Sequence, residues 1–207
     1  MGYSFFATVS RMKYIERWAL MRSSRAEDLS EHSLEVAMLA HALCTIGNVR
    51  YGRELDAGRA ALAGLYHDAS EIITGDMPTP VKYYNRTLKT AYKEVEHAAE
   101  EELLQRLPED LRPVYDGIFR GTDAKDPEKE AYLRRLVKAA DKLSAMIKCI
   151  EEEKAGNTEF RTAGRSTMKT LEKMAEELPE LRDFLQDFLP SYGKTLDELA
   201  GDQEENT

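Results

Sequence analysis

The chain has 207 residues, 42% hydrophobic and 32% charged, with a formal net charge of −9. It is too apolar for a disordered chain and closer to one domain than to two. Its acidity excludes a generic nucleic-acid binder, because nothing supplies a broad cationic field, although a few Arg or Lys side chains or a metal can still neutralise one phosphate locally.

Apolar residues recur at helical steps almost everywhere. Phe5, Val9, Met12, Ile15 and Ala19 predict a first amphipathic helix. Ser30 is placed to cap a second, with Glu31 in its first turn, and Gly47 is placed to end it. Its middle, residues 36–40, is apolar on all sides and is expected to be buried. Asp56 can cap a third helix that runs to Ile73, with Gly75 just beyond its end. Two alternate prolines in Asp76-Met77-Pro78-Thr79-Pro80 stop that helix.

A long helix follows, with Leu88, Tyr92, Val95, Ala99 and Leu103 on one stripe, until Pro108. Residues 111–119 give a short helix. Asp126 and Pro127 supply the cap and first position of the next, whose inner face carries Leu133, Leu136, Val137, Ala140, Ser144 and Ile147 and which Gly156 closes. Met168, Leu171, Met174 and Leu178 mark another helix, and residues 181–189 the last substantial one. No strand alternation, repeat or linker interrupts this pattern. The expected fold is all-α and single-domain, with a frayed acidic tail at 201–207.

Cys44 and Cys149 sit in apolar runs without a CxxC partner, so no disulfide framework is expected and a reducing compartment is. The N-terminus lacks the basic-then-apolar pattern of a signal peptide, and no run approaches a membrane span. The expectation is a cytoplasmic protein with no membrane partner.

Only four histidines are present. His67, Asp68 and Glu71 are spaced to share one face near the end of a buried helix, and an imidazole with two carboxylates is half of a divalent metal site. The alternative is that both carboxylates face solvent at the helix end. Asp141 stands at the edge of a core-facing stripe, where a metal ligand competes with a simple ion pair to Lys138 or Lys142. His32 either joins them or only packs. His41 cannot share a site with His32 on one helix, because nine residues place them about 13 Å apart on opposite faces; it is read as a satisfied core histidine. His97 lies off its helix's apolar stripe and is read as a surface residue.

Glu31-His32-Ser33, His67-Asp68-Ala69-Ser70-Glu71 and the later Asp141 together resemble the H…HD…D signature of the HD-domain metal-dependent phosphohydrolases. With Arg17-Trp18 before them, Gly75-Asp76-Met77-Pro78-Thr79-Pro80 after them and Val137-Lys138-Ala139-Ala140-Asp141 further on, the chain resembles the bacterial 5′-deoxynucleotidases across residues 5–199. The resemblance implies an HD-type helical bundle over residues 1–200. It implies one divalent cation held by His32, His67, Asp68 and Asp141, a donor set that suits Co, Mn, Fe or Zn. Glu71 would orient the attacking water or shuttle its proton, with a supporting role beside a ligand as the alternative. Arg17 would orient the phosphate, which His32, Asp68 and Asp141 would also border. Trp18 would line the sugar or base, with a core position as its rival, and Asp76, Met77, Pro78 and Thr79 would form the rim near the sugar.

The activity implied is hydrolysis of 2′-deoxyribonucleoside 5′-monophosphates by a homodimer without a nucleic-acid partner. Another HD nucleotide phosphohydrolase, acting on a triphosphate or cyclic nucleotide, is the alternative within enzymes. A non-catalytic HD nucleotide-binding module is the alternative outside them.

Overall fold

A computed structural model describes residues 2–82 and 84–201, except for the side chains of Thr79 and Pro80. The tail beyond residue 201 lies outside the described residues, as does Tyr83. No strand forms among the described residues, and the sole sheet-like contact is a bridge between Glu16 and Asp28.

The first helix is far shorter than its periodicity suggests. Helix α1 spans Phe5–Val9 and passes into a 3-10 turn at Ser10–Tyr14. Phe5 and Met12 are buried as the pattern requires, but Ile15 is already extended. So short a helix has little stability of its own, and tertiary hydrogen bonds decide where it stops. The Arg17 N–H donates to the Glu27 carbonyl at 2.9 Å and the Leu29 N–H to the Ile15 carbonyl at 2.9 Å. These two bonds close residues 17–27 into a loop, cutting off the stretch up to Ala19 that the periodicity assigns to the helix.

Helix α2, Leu29–Tyr51, is capped by Asp28 rather than Ser30, through a reciprocal capping box with Glu31. It also outruns Gly47, ending at Gly52, whose φ of 62° suits a left-handed cap. Gly47 serves packing instead: a Cβ there would meet the Glu180 carboxylate at 2.9 Å. Within the apolar stretch 36–40, Val36, Ala37, Leu39 and Ala40 are buried, whereas Met38 is 59% exposed. His41 is exposed, with only Thr45 beside its ring, so it is not a core histidine.

Asp56 caps α3, Ala57–Tyr66, as its position suggests. The chain then turns through residues 67–70 before a single-turn α4, Glu71–Thr74, and Gly75 with φ 73°. The expected continuous helix to Ile73 is therefore broken at the His67-Asp68 pair. A short turn α5, Thr79–Lys82, precedes α6, Arg86–Gln105, and α7, Arg112–Arg120. On α6, Tyr92, Ala99 and Leu103 are buried, but Val95 is half exposed and sits off the packed stripe. Helix α8, Pro127–Lys154, begins at Asp126 as expected and is the longest in the chain. Helices α9, Arg161–Ala175, and α10, Pro179–Asp187, follow, with α11, Leu196–Gly201, at the end.

Two apolar clusters hold these elements. The larger is built by α2, α3, α8, α9 and α10 around Leu39, Leu43, Leu136, Leu143, Leu171 and Leu181. The smaller joins Phe5, Met12, Leu29, Ala69, Leu103 and Leu107, with Tyr115 and Phe119 against it. Ala63 belongs to the first cluster and Ala69 to the second. His67 and Asp68 therefore lie at the seam, where burial is deep and regular helix gives way. Gly64 sets the depth of that seam. A Cβ there would lie 2.9 Å from the Ala37 Cα, so only glycine lets α3 settle this close to α2.

Candidate metal centre and substrate rim

His32 sits in the first turn of α2 with a fully buried side chain. Its Nε2 faces Asp141 Oδ1 of α8 at 3.4 Å and Asp68 Oδ2 at 3.6 Å. His67 Nε2 lies 2.9 Å from the same Asp68 oxygen. One donor atom from each of His32, His67 and Asp141 falls within 4.8 Å of the others. The Nε2 atoms of both histidines are buried and accept or donate no hydrogen bond. Two buried imidazole nitrogens without partners, converging on two carboxylates, fit a divalent cation of intermediate softness.

The electrostatics agree. Burial opposes a charge on His67, yet the Asp68 and Asp141 carboxylates outweigh it and push the imidazole up to about 9. Burial likewise opposes ionisation of Asp141 and Asp68, but the two histidines, with Lys142 at Asp141, hold both carboxyls well below the usual range. The pocket thus attracts positive charge. Asp141 also satisfies its competing reading: its second oxygen takes Lys142 Nζ at 2.9 Å, so one carboxylate serves both partners. Its other rival, Lys138, forms no ion pair with it.

Glu71, at the start of α4, is 6% exposed, and its Oε2 has no hydrogen-bond partner. Burial, reinforced by the carboxylates of Asp68 and Asp76, pushes its carboxyl up to about 9. A solvated helix-end glutamate is excluded by that burial. Asp76 is half-buried; burial and Asp68 raise it, while Arg17 and the Trp18 backbone N–H pull the other way.

Arg17 and Trp18 stand on the loop between α1 and α2. Arg17 is 12% exposed and donates to Glu27 Oε1 at 3.3 Å. Trp18 Nε1 donates to the other oxygen of Glu27 at 2.8 Å. The indole packs edge-on against Phe160, with centroids 5.3 Å apart, and remains partly exposed. It is neither a core residue nor a free one. Its φ of 60° is left-handed, a conformation that costs a side-chain-bearing residue ~1–2 kcal/mol.

Behind this loop, the buried Glu152 of α8 accepts the Ser24 N–H at 2.8 Å and Asn157 Nδ2 at 2.7 Å. Its neighbour Lys148 donates to the Arg25 carbonyl at 2.6 Å. Met77 and Pro78 are half-buried beside Asp76, whereas the side chain of Thr79 is outside the description. His97, on α6, is exposed, and its ring faces Glu100 at 3.7 Å.

Sequence reasoning passed over three residues that touch these groups: Glu27, which holds Arg17 and Trp18 together, and Ser144 and Glu35 behind His32. Ser144 was visible as an inner-face position of α8, and its polarity on an apolar stripe was the available signal. Glu27 and Glu35 lie among many surface glutamates and offered none.

A family model described as 5′-deoxynucleotidase YfbR-like matches residues 4–192. The 5′-deoxynucleotidase YfbR of Escherichia coli is 46% identical over 198 residues, covering 96% of each chain. A 5′-deoxynucleotidase of Enterobacter sp. is similar to the same extent, 46% over 198 residues and 96% of each chain. Among solved structures, an HD-domain phosphohydrolase from Listeria innocua superposes with a TM-score of 0.76 at 23% identity, covering 93% of this chain and 90% of its own. The cyanophage S-2L HD phosphohydrolase DatZ, bound to dA and one catalytic Zn²⁺ ion, gives 0.61 at 18% identity, over 91% of this chain and 96% of its own. The fold is that of the HD-domain phosphohydrolases, and the chain belongs to the YfbR-like 5′-deoxynucleotidase family.

Proposed function

We propose that this chain hydrolyses 2′-deoxyribonucleoside 5′-monophosphates to deoxynucleoside and phosphate, as its relatives' names describe. The observation that carries the reading is the convergence of two buried, unpartnered Nε2 atoms on Asp68 and Asp141, beside a buried Glu71 and a guanidinium. His32, His67, Asp68 and Asp141 would hold one divalent cation, of the Co, Mn, Fe or Zn class. When bound, it lowers the pKa of its water and neutralises charge on the phosphoryl oxygens.

The rest falls to the chain. Arg17 offers a planar fork of donors to the phosphate and stays aimed because Glu27 holds it. Glu71 orients the attacking water and takes its proton, which ends on the departing 5′-oxygen as the phosphorus–oxygen bond breaks. To take that proton Glu71 must be ionised, and a cation bound nearby would favour the carboxylate that burial and its acidic neighbours disfavour.

Selectivity for the deoxy sugar requires that a 2′-hydroxyl be penalised, since its absence can earn no bond. Trp18 supplies the apolar wall and Asp76 an acceptor for the 3′-hydroxyl, with Met77, Pro78 and Thr79 completing the rim. Such discrimination is worth ~1–3 kcal/mol, roughly 10–200-fold. A homodimeric, cytoplasmic enzyme with its HD domain over residues 1–200 and a flexible tail completes the reading. The compartment is supported by Cys44 and Cys149, both free and buried; the dimer rests on the family's habit. No helix among the described residues is long and apolar enough to cross a membrane.

The test is phosphate release from a panel of ribo- and deoxynucleotides after chelation, with single metals added back. dAMP should be hydrolysed well and AMP poorly. Equal rates on the two would leave a general 5′-nucleotidase.

A further inference from the structure

The two histidines of the candidate centre are held from behind in different ways. His67 Nδ1 lies 2.7 Å from the Gly64 carbonyl. A carbonyl only accepts, so Nδ1 must carry a hydrogen, and when the ring is neutral, as a cation's ligand must be, Nε2 holds the lone pair. Backbone alone fixes this tautomer. His32 Nδ1 instead lies 2.9 Å from the Ser144 hydroxyl, which can either donate or accept.

The next link decides. Ser144 Oγ lies 2.6 Å from Glu35 Oε2 and donates to it. A serine hydroxyl has one proton. Once given to Glu35, it leaves Oγ able only to accept from the ring, so His32 Nδ1 carries the hydrogen and Nε2 the lone pair. Glu27 Oε1, at 3.7 Å from the same Nδ1, is too far to replace Ser144 as the acceptor. Ser144 is fully buried and His32 likewise, so no water substitutes freely for either.

We propose that Glu35, acting through Ser144, is a positioning residue that locks His32 in the Nδ1–H tautomer and so turns its Nε2 lone pair toward the cation. The inference rests on the reading of His32 as a metal ligand. It assigns a role to a glutamate on α2 that faces away from the centre, in a recess lined also by Arg25, Glu27, Glu31, Lys148 and Glu151. Without the relay the ring is free to place its proton on Nε2, and metal binding must then displace that proton or flip the tautomer. Supporting residues of this kind are commonly worth 10–100-fold in metal affinity.

The test uses the full chain, labelled with ¹⁵N-histidine and treated with chelator, and no nucleotide. Long-range proton–nitrogen spectra report which ring nitrogen of His32 carries the hydrogen, and calorimetric titration with Mn²⁺ reports affinity. The parent should show Nδ1–H at His32. Ser144→Ala should shift His32 toward Nε2–H, leave His67 at Nδ1–H, and weaken Mn²⁺ binding by roughly 10–100-fold. Glu35→Ala, at a half-exposed position, carries the same expectations and serves if Ser144→Ala does not fold. An Nε2–H ring in the parent, or Mn²⁺ affinity within twofold of the parent in the folded variants, overturns the proposal. Failure of the deoxynucleotidase reading would appear separately, as absent phosphate release from a chain that still binds Mn²⁺ and still shows Nδ1–H at His32.

Discussion

The proposed metal cradle and the proposed substrate rim are built by opposite means. His32 and Asp141 ride on helices of 23 and 28 residues, and His67-Asp68 follow a third whose approach Gly64 sets. Their positions are determined many times over by core packing. Arg17, Trp18 and Asp76 stand on backbone without regular structure, where Trp18 is held in a left-handed conformation. Glu27, the Asp76 carboxylate, the Phe160 ring and the Glu152–Lys148 staple fix them, each by one or two bonds. A centre that must hold a cation benefits from rigidity shared among many contacts. A rim that must pass a substrate is fixed by few bonds, and single substitutions should release it.

The sharpest way to break this comparison is to remove a ligand. Asp141→Ala should weaken metal affinity by more than the ~10–100-fold typical of a supporting residue, with near-complete loss of activity, while the helical circular dichroism survives. Retained tight metal binding would make Asp141 a partner of Lys142 alone. Next in size, Glu71→Ala should keep its metal and lose ~10²–10⁴ in rate. If metal content falls along with activity, Glu71 belongs to the cradle rather than to the chemistry.

The rim is probed by Glu27→Ala, which frees both Arg17 and Trp18. Losing hydrogen bonds to a charged group costs ~1.5–3 kcal/mol, or about 10–100-fold. That loss should fall on kcat/KM for dAMP and narrow the dAMP-to-AMP ratio, with metal content unchanged. Trp18→Ala should narrow the same ratio more than it lowers the dAMP rate. Preserved selectivity in both variants would return the indole to a packing role against Phe160.

The last effect is read on stability rather than on rate. After chelation, the melting temperature should fall as pH rises from about 5 to 9. His67 moves from an ordinary 6.5 up to about 9 on folding, so its proton stabilises the folded chain fully below 6.5 and that stabilisation is lost as pH rises through 9. Glu71 moves from 4.5 to about 9; between those values the unfolded chain ionises freely while the folded chain holds its proton, which gives the same sign. Each group contributes at most ~1.4 kcal/mol per pH unit. Glu71→Gln should flatten the slope, and a melting temperature that rises with pH would contradict the assignment.

Legibility followed the same division. Among the four ligand candidates, His67-Asp68 stood out because an apolar run precedes them and Asp141 because it sits one step from an apolar stripe, whereas His32 and the set as a whole came from the resemblance to the HD-domain phosphohydrolases. The all-α fold was legible because helices convert spacing into geometry, and Asp56, Asp126 and Pro127 were legible as helix starts. The local rules faltered where two signals competed. Asp28 displaced Ser30 because its capping box with Glu31 satisfies two donors at once. Gly47 does not end α2, which runs on to Gly52; its lack of a side chain makes room for Glu180 instead.

By itself, then, the sequence determined the elements whose hydrophobic period is long and the residues that those elements carry inward. Only the tertiary structure decided that the first helix stops at Val9 and its 3-10 turn at Tyr14, that α3 breaks at His67, and that Glu27, Glu35 and Ser144 stand behind the candidate site. The reason is physical. Helical period is a local property of 3.6 residues per turn, whereas a loop's path and a hydrogen bond from residue 144 to residue 35 depend on contacts between segments that no local pattern encodes.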